Sequence, residues 1–213
     1  MKISKRLQAI ADMISNENKV IDVGCDHALL DIYLSMKKNC KCIAADINKN
    51  ALDQAKYNIK RFGAKNIETV LTDGLHDIEV LNDDIVVISG MGASTIEHIL
   101  TTSKASDTLI ISAHNDWENL RKVVVSLGYK IEEEKFVEDK GKGYIIIKFI
   151  KGEGKYSNVE LLYGPYLKSN SLYLKYLYAK TKEVFDKIPD DNSEKEIKRS
   201  QLEEIESLIK ELN

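Results

Sequence analysis

The chain has 213 residues, of which 43% are hydrophobic and 31% are charged, a composition that suits one α/β domain with a modest appendage. Its net charge of -3 excludes a strongly basic nucleic-acid-binding protein, although a local basic face could still exist. No apolar run approaches the roughly 18 residues of a membrane span, so we expect no membrane partner.

The cysteines predict a reducing compartment. There are three of them, Cys25, Cys40 and Cys42, and an odd number without a secretory signal is typical of reduced thiols in the cytoplasm. Cys40 and Cys42 lie two residues apart on a predicted strand, but no second pair and no histidine cluster completes a zinc site. We therefore expect no metal, and nothing in the sequence indicates an obligate protein partner.

An amphipathic helix is predicted over Lys2–Ser15, because apolar residues recur there at helical spacing. Lys5 and Arg6 lie near its start. They would lie at the mouth of a site if this helix packs beside the first strand, and otherwise they are solvated cations.

The stretch that follows predicts a strand, a tight turn and a helix. Lys19–Val23 is a β-branched run, Gly24 supplies the turn, and apolar residues then recur at helical spacing from Ala28. This is the opening unit of a doubly wound sheet, with a ligand expected at the carboxyl end of the strand.

The turn indicates which cofactor fits. Asp26 stands where a dinucleotide fingerprint has its second glycine, and its carboxylate would repel a pyrophosphate. It suits a cofactor with no phosphate and a positive charge, such as S-adenosylmethionine, whose amino-acid end Asp22 could help to orient. Alternatively, Asp22 and Asp26 are only cap and first-turn carboxylates of the helix.

A second strand is predicted over Cys40–Ala45 and ends in Asp46, 24 residues after Asp22. This interval is close to the roughly 20 residues expected before the acidic residue that binds ribose hydroxyls. The alternative is that Asp46 caps the next helix, which is predicted over Asn48–Phe62.

Two further strand ends carry candidate ligand contacts. The third strand, Ile67–Leu71, is followed by Asp73, which is placed to accept from an adenine amine. The fourth, Asp83–Ser89, runs into Gly90-Met91-Gly92, where two glycines allow the backbone to pass close to a ligand. A helix begins near Thr95.

The remaining elements of this part complete a class I S-adenosylmethionine-dependent methyltransferase layout, which is Rossmann-like with an antiparallel terminal hairpin. They are a fifth strand over Thr108–Ser112, a helix over Trp117–Leu127, and a hairpin of strands over Lys130–Val137 and Tyr144–Ile150. We assign residues 1–155 to this α/β domain.

Residues 160–213 are predicted to form a separate, coiled-coil-like helical hairpin. Heptad-like apolar seams predict helices over Gly164–Lys187 and Asp190–Asn213. The seam residues are Leu174, Leu177, Thr181, Val184 and Ile188 in the first helix and Leu202, Ile205, Ile209 and Leu212 in the second. The first helix is basic and rich in tyrosine, and the second is acidic. Lysines and tyrosines on one helix could follow an RNA backbone, or they could be a solvated face with tyrosines packed on the main domain.

Several segments, in order along the whole chain, resemble the TrmK family of bacterial tRNA (adenine-N1)-methyltransferases, which modify adenine 22. They are Ser4-Lys5-Arg6-Leu7-Gln8, Asp22-Val23-Gly24-Cys25-Asp26-His27-Ala28-Leu29-Leu30, Asp73-Gly74-Leu75, Ser89-Gly90-Met91-Gly92 and Gly164-Pro165-Tyr166-Leu167. The chain departs from the family in having Ala93 for a glycine, Ser112-Ala113-His114 for Gln-Pro-Asn, and Asp46 for a common glutamate.

The resemblance implies transfer of a methyl group from S-adenosylmethionine to N1 of adenine 22, leaving S-adenosylhomocysteine. The expected cofactor-binding residues are Asp22, Gly24, Cys25, Asp26, Asp46, Ile47, Asn48, Asp73, Gly74, Leu75, Gly90, Met91 and Gly92. The candidate catalytic residues are Asp26, His27 and His114. The candidate tRNA-binding residues are Lys5, Arg6, Lys168, Lys175 and Lys182. The alternatives are methylation of another substrate and a non-catalytic RNA-binding protein that retains the fold.

Overall fold

Runs of β-branched residues form the sheet on which the first part of the chain is built. The computed structural model describes residues 1–212 and divides the chain into two compact units, Met1–Lys155 and a second that begins at Tyr156. The first unit contains, in chain order, α1 (Lys5–Ala11), β1 (Lys19–Val23), α2 (Leu29–Lys38), β2 (Lys41–Asp46), α3 (Lys49–Phe62), β3 (Ile67–Leu71), β4 (Ile85–Met91), α4 (Ala93–Thr102), β5 (Thr108–Ala113), α5 (Trp117–Ser126), β6 (Tyr129–Asp139) and β7 (Lys142–Lys151).

The seven strands lie in the order β3-β2-β1-β4-β5-β7-β6. The first five are parallel, and β7 is antiparallel to both β5 and β6. The predicted Rossmann-like sheet with an antiparallel terminal hairpin is therefore confirmed. Val23 is level with Ala45 and with Ile88, so the carboxyl ends of β1, β2 and β4 reach the same edge of the sheet.

The core lies on the central strands, which are buried on both faces, as is usual for a parallel sheet covered by helices. Val20 and Ile21 of β1 and Val86 and Val87 of β4 are fully buried. Burial of one such side chain stabilises the fold by about 1.5–3 kcal/mol. The packing of these buried side chains holds the central strands in place and so fixes the strand ends that carry the site.

Two element boundaries near the site differ from the sequence prediction. The helix predicted from Lys2 begins at Lys5, because the Ser4 side chain accepts a hydrogen bond from the Leu7 amide and caps it. The fourth strand continues to Met91 through an irregularity between Ser89 and Met91. The following helix, α4, consequently begins at Ala93 rather than near Thr95.

The second unit contains α6 (Asn158–Tyr163), a 3-10 turn (Leu167–Ser169), α7 (Ser171–Phe185) and α8 (Glu194–Glu211). The prediction of one helix over Gly164–Lys187 is wrong at its start. Gly164, with φ of 92°, ends α6, and Asn170 caps α7 by accepting from the Tyr173 amide.

The predicted helical hairpin is present, because α7 packs against α8. Leu174, Leu202 and Ile205 are buried as the seams predict. Val184 and Leu212, which the seams also place inside, are instead exposed. The second predicted helix begins at Glu194 rather than Asp190, and its predicted last residue, Asn213, lies outside the described residues.

Within residues 1–212, no helix combines the length and the apolar character that crossing a bilayer requires.

Candidate active site

A cavity of about 140 Å³ opens at the carboxyl edge of the sheet, above β1 and β4. It is lined by Arg6, Leu7, Asp22, Gly24, Cys25, Asp26, His27, Leu29, Leu30 and Ser89. The cavity thus brings together α1, the loop after β1 and the end of β4. This is the position at which open α/β sheets bind ligands.

The loop after β1 has an unusual backbone. Gly24, Asp26 and Ala28 all have positive φ, at 77°, 51° and 53°. A Cβ at Gly24 would also overlap Cε of Met91, so the end of that flexible side chain would have to move. Left-handed backbone at a residue other than glycine costs roughly 1–2 kcal/mol, so other contacts must hold this loop in place.

Those contacts come from the end of β2. The amides of Gly24 and Cys25 both donate to the Ala45 carbonyl, at 2.8 and 3.0 Å. The Asp46 carboxylate accepts from the amide of Asp26 at 3.1 Å and from the amide of Asn48 at 2.8 Å. Asp46 therefore joins the loop after β1 to the start of α3.

Asn48, not Asp46, is the cap of α3. Its side chain accepts from the Asn50 amide at 2.9 Å. The helix-cap alternative for Asp46 is thus replaced by a bridging role, which leaves further lone pairs of its carboxylate available to a ligand.

Two buried carboxyls lie beneath the cavity. Burial raises the pKa of Asp22 to about 7, against the opposing effect of the Arg6 guanidinium. Asp31, on α2, is completely buried, and burial together with the nearby Asp22 charge raises the pKa of its carboxyl well above the usual range. The site therefore holds a carboxyl whose charge changes near neutral pH.

The thiol of Cys25 stays protonated in this setting. Burial, reinforced by the charge of Asp22, raises its pKa far above the ordinary value. A nucleophilic role for this cysteine is therefore disfavoured, since the thiolate is the reactive form.

Arg6 and His114 both lie close to Gly90, although they are far apart in the sequence. A Cβ on Gly90, whose φ is 88°, would lie 3.3 Å from Nη1 of Arg6 and 3.9 Å from Nε2 of His114. The Arg6 guanidinium also lies 5.4 Å from the centre of the Tyr144 ring. The irregular end of β4 thus lies next to a cation and an imidazole.

Asp26 and His27 lie at the mouth of the cavity. Nε2 of His27 is 3.6 Å from Oδ1 of Asp26, and both side chains are at least half exposed. The His27 carbonyl accepts from the Asn58 side chain on α3, which fixes the loop but leaves the imidazole free to meet a ligand.

The other predicted cofactor contacts lie along the same edge but outside this cavity. The Thr72 amide donates to the Asp46 carbonyl, which brings the segment Asp73-Gly74-Leu75 next to the end of β2. Ile47 is 68% exposed, as expected of an apolar residue that a ligand could cover. Met91 lies over Gly24, and Gly92 is the cap residue of α4.

Sequence reasoning missed Asp31 and Asn115. Asn115 accepts a hydrogen bond from the Ala93 amide at 3.2 Å and so ties the loop after β5 to the start of α4. Its position directly after a predicted strand was a usable signal. Asp31 lies on the buried side of α2, and the helical spacing of its apolar neighbours was the signal for its burial.

The candidate tRNA-binding lysines fall into two groups. Lys5 and Lys175 are exposed, and neither forms an ion pair within residues 1–212. Lys168 pairs with Glu160 at 2.9 Å, and Lys182 pairs with Asp186 at 3.1 Å. The role of these residues in binding RNA stays a prediction.

No group of three or more histidine, cysteine or carboxylate side chains in the described part of the chain could hold a metal ion. The three cysteines are buried free thiols.

Comparison with known proteins shows which family has this architecture. Residues 3–147 match the family described as "Methyltransferase domain". The tRNA (adenine(22)-N(1))-methyltransferase of Bacillus subtilis is 28% identical over 231 aligned positions, which cover 100% of this chain and 97% of the relative.

Two solved structures resemble this chain over nearly its full length. M. capricolum TrmK, in complex with S-adenosyl-homocysteine, is 30% identical with a TM-score of 0.85, and the match covers 100% of both chains. B. subtilis TrmK is 27% identical with a TM-score of 0.77, over 99% of this chain and 98% of that one.

The fold and the site therefore define a member of the methyltransferase-domain family. Within it, the chain belongs to the TrmK family, as its full-length likeness to M. capricolum TrmK shows.

The buried Asp31 makes the stability of the fold depend on pH. Between the ordinary carboxyl pKa and the raised native one, the folded chain holds a proton that the unfolded chain releases, so stability falls as pH rises. We expect Asp31→Asn, which cannot ionise, to raise the free energy of unfolding relative to wild type, and more at pH 8 than at pH 5.

Urea unfolding at both pH values measures this difference. Asp53→Asn, which alters an exposed carboxylate on α3, is the matched control and should show no such increase. A stability difference for Asp31→Asn that does not change with pH would contradict the assignment.

Proposed function

We propose that this protein transfers the methyl group of S-adenosylmethionine to N1 of adenine 22 in tRNA. The observation that carries the proposal is the carboxylate-lined cavity at the carboxyl edge of the sheet, in a chain that matches M. capricolum TrmK from end to end. That relative was solved with S-adenosyl-homocysteine, and the B. subtilis relative is named for the same reaction.

The residues present fit this cofactor. Asp22 and Asp26 line the cavity, and their carboxylates suit the cationic amino-acid end of S-adenosylmethionine. Asp46 is placed at the end of β2, where its carboxylate can accept from ribose hydroxyls. Asp26 also occupies the position at which a dinucleotide site needs glycine, so the same loop disfavours a pyrophosphate.

When bound, the cofactor supplies an electrophilic methyl group, and the protein's own contribution is mainly positioning. Adenine N1 has a free lone pair, so no strong base has to remove a proton before attack. The product is a cationic base, and the exposed carboxylate of Asp26 is available to stabilise that charge. Arg6 and His114, which both lie close to Gly90, are our candidates for hydrogen bonds to the adenine.

The target adenine belongs to a folded RNA and must leave its stack to reach the site. We place the protein in the cytoplasm, where tRNA is modified, and assign it RNA binding. The C-terminal unit is the candidate for part of that binding, with Lys175 and Lys210 as exposed cations that have no ion pair in the described chain.

The direct test incubates the full chain with a tRNA transcript and labelled S-adenosylmethionine, followed by nucleoside analysis. We expect 1-methyladenosine, and we expect none from the same transcript with guanine at position 22. Label in another nucleoside would indicate a different methyltransferase. Binding of tRNA without any label would indicate a non-catalytic RNA-binding protein.

Asp46 offers a sharper test of the cofactor assignment. We expect Asp46→Ala to weaken S-adenosylmethionine binding by about 1.5–3 kcal/mol for each charge-assisted hydrogen bond removed, measured by calorimetry. Asp46→Asn, which keeps one acceptor oxygen but no charge, should fall between Asp46→Ala and wild type. A folded Asp46→Ala protein with unchanged affinity would leave Asp46 with only its bridging role.

The boundary between the units defines a deletion. A chain that ends at Lys155 keeps every strand of the sheet and the whole carboxylate-lined cavity. We expect it to bind S-adenosylmethionine with about wild-type affinity and to lose most tRNA binding and methylation. Normal methylation by this shortened, folded chain would show that the C-terminal unit is not needed to bind tRNA.

A further inference from the structure

Helix α3 presents an exposed basic surface that the proposed reaction does not use. Its outer face and the turn that follows carry five cations and one acid. They are Lys49, Lys56, Lys60, Arg61, Lys65 and Asp53, all exposed. At 100° per residue, Lys49, Lys56 and Lys60 fall within a narrow stripe along the helix.

These five cations have no carboxylate partner within ion-pairing distance in residues 1–212. Several lysines of the second unit are different, because Lys180 and Lys187 both pair with Glu183 and Lys182 pairs with Asp186. A lysine that already has an internal partner gains less from a phosphate, since the internal pair must be given up. The α3 stripe is therefore the stronger anion-binding surface, although α7 looks basic in sequence.

Aromatic side chains accompany these cations. Tyr57 is 60% exposed and lies one row away from the lysine stripe, on the Arg61 side. Phe62 is partly exposed, and the Arg61 guanidinium lies 5.7 Å from the centre of its ring. Exposed rings next to cations are what single-stranded nucleic-acid-binding surfaces use to stack bases while following the backbone.

The stripe begins at the site itself. The cap residue of α3, Asn48, donates its amide to the Asp46 carboxylate at the carboxyl edge of the sheet. From there the helix runs about 21 Å away from that edge, at 1.5 Å for each of its 14 residues. A nucleic acid that places one base in the cavity could therefore extend onto this face.

We propose that the outer face of α3 is a second contact surface for the RNA substrate, which binds the phosphodiester backbone through Lys56, Lys60 and Arg61. The inference rests on the proposed function, because it takes the polyanion to be the tRNA that is methylated. The charge of the face favours RNA as the molecule that binds there. Its five unpaired cations complement a row of phosphates, and an RNA backbone carries a denser negative charge than an acidic protein surface does.

The test uses the full chain with the double change Lys56→Glu and Lys60→Glu. Both residues lie away from the cavity, so affinity for S-adenosylmethionine should match wild type. We expect tRNA binding to weaken at least tenfold at 100 mM KCl. The plot of log affinity against log salt should become shallower by about 0.9 for each phosphate that the variant no longer neutralises. In methylation assays KM for tRNA should rise, while kcat stays near wild type.

The matched control for the single change Lys60→Glu is Lys104→Glu on the loop after α4, an exposed lysine that likewise has no ion-pair partner in residues 1–212. It should leave tRNA binding within about twofold of wild type. Tyr57→Ala should weaken binding without changing the salt dependence, because stacking releases no counterions.

Unchanged tRNA binding by the α3 variant, or an equal loss in Lys60→Glu and in its control, would overturn the inference and leave the proposed function intact. In that case a pull-down of acidic proteins with wild type and the α3 variant would identify another anionic occupant. A wild-type chain that neither binds nor methylates tRNA would instead overturn the proposed function.

Discussion

The site depends on the attachment of the loop after β1 to the end of β2. That loop keeps two residues other than glycine, Asp26 and Ala28, in left-handed backbone. The cost, roughly 1–2 kcal/mol each, is offset by hydrogen bonds from Gly24, Cys25 and Asp26 to Ala45 and Asp46. Because the acceptors belong to a central parallel strand, the strained loop takes its position from the most rigid part of the fold.

The same arrangement accounts for the electrostatics of the site. Asp22, Asp26, Asp31 and Asp46 all lie near the loop, and the nearby cation that counters Asp22 is Arg6. Burial and mutual repulsion then raise the pKa of Asp22 and hold the Cys25 thiol neutral. A cationic ligand relieves this repulsion, whereas a pyrophosphate would add to it. The preference for a cofactor without phosphate is therefore a property of the whole cluster, not of Asp26 alone.

The sequence predicted the sheet well because the signals for it are local. β-branched runs, the turn at Gly24 and the interval to Asp46 place each strand end before any tertiary contact is known. The position of Arg6 and His114 close to Gly90 could not be predicted in this way, because it depends on how α1 packs and on the irregularity in β4. The burial of Asp31 could have been predicted, since its apolar neighbours on α2 recur at helical spacing.

The errors in the second unit have a similar explanation. Heptad spacing alone extended one helix back to Gly164, although Gly164 and Pro165 disfavour a continuous helix there. The missed helix α6 carries a capping box between Ser157 and Glu160, a pattern that is visible in the sequence. Apolar periodicity locates a helix, and the capping residues decide where it begins and ends.

The composition of the chain does not determine which of its surfaces has cations available to bind a polyanion. The net charge of -3 does not indicate an RNA-binding protein, and the basic character of the first predicted hairpin helix directs attention to the second unit as the RNA-binding part. In the folded chain, however, Lys168, Lys180, Lys182 and Lys187 are paired with acids of their own unit. Like α7, helix α3 carries a single acid, but no ion pair joins that acid, Asp53, to the cations of the outer face within residues 1–212, so their charge stays available to a partner. The arrangement of acids around each lysine, rather than the number of lysines, decides which surface attracts a polyanion.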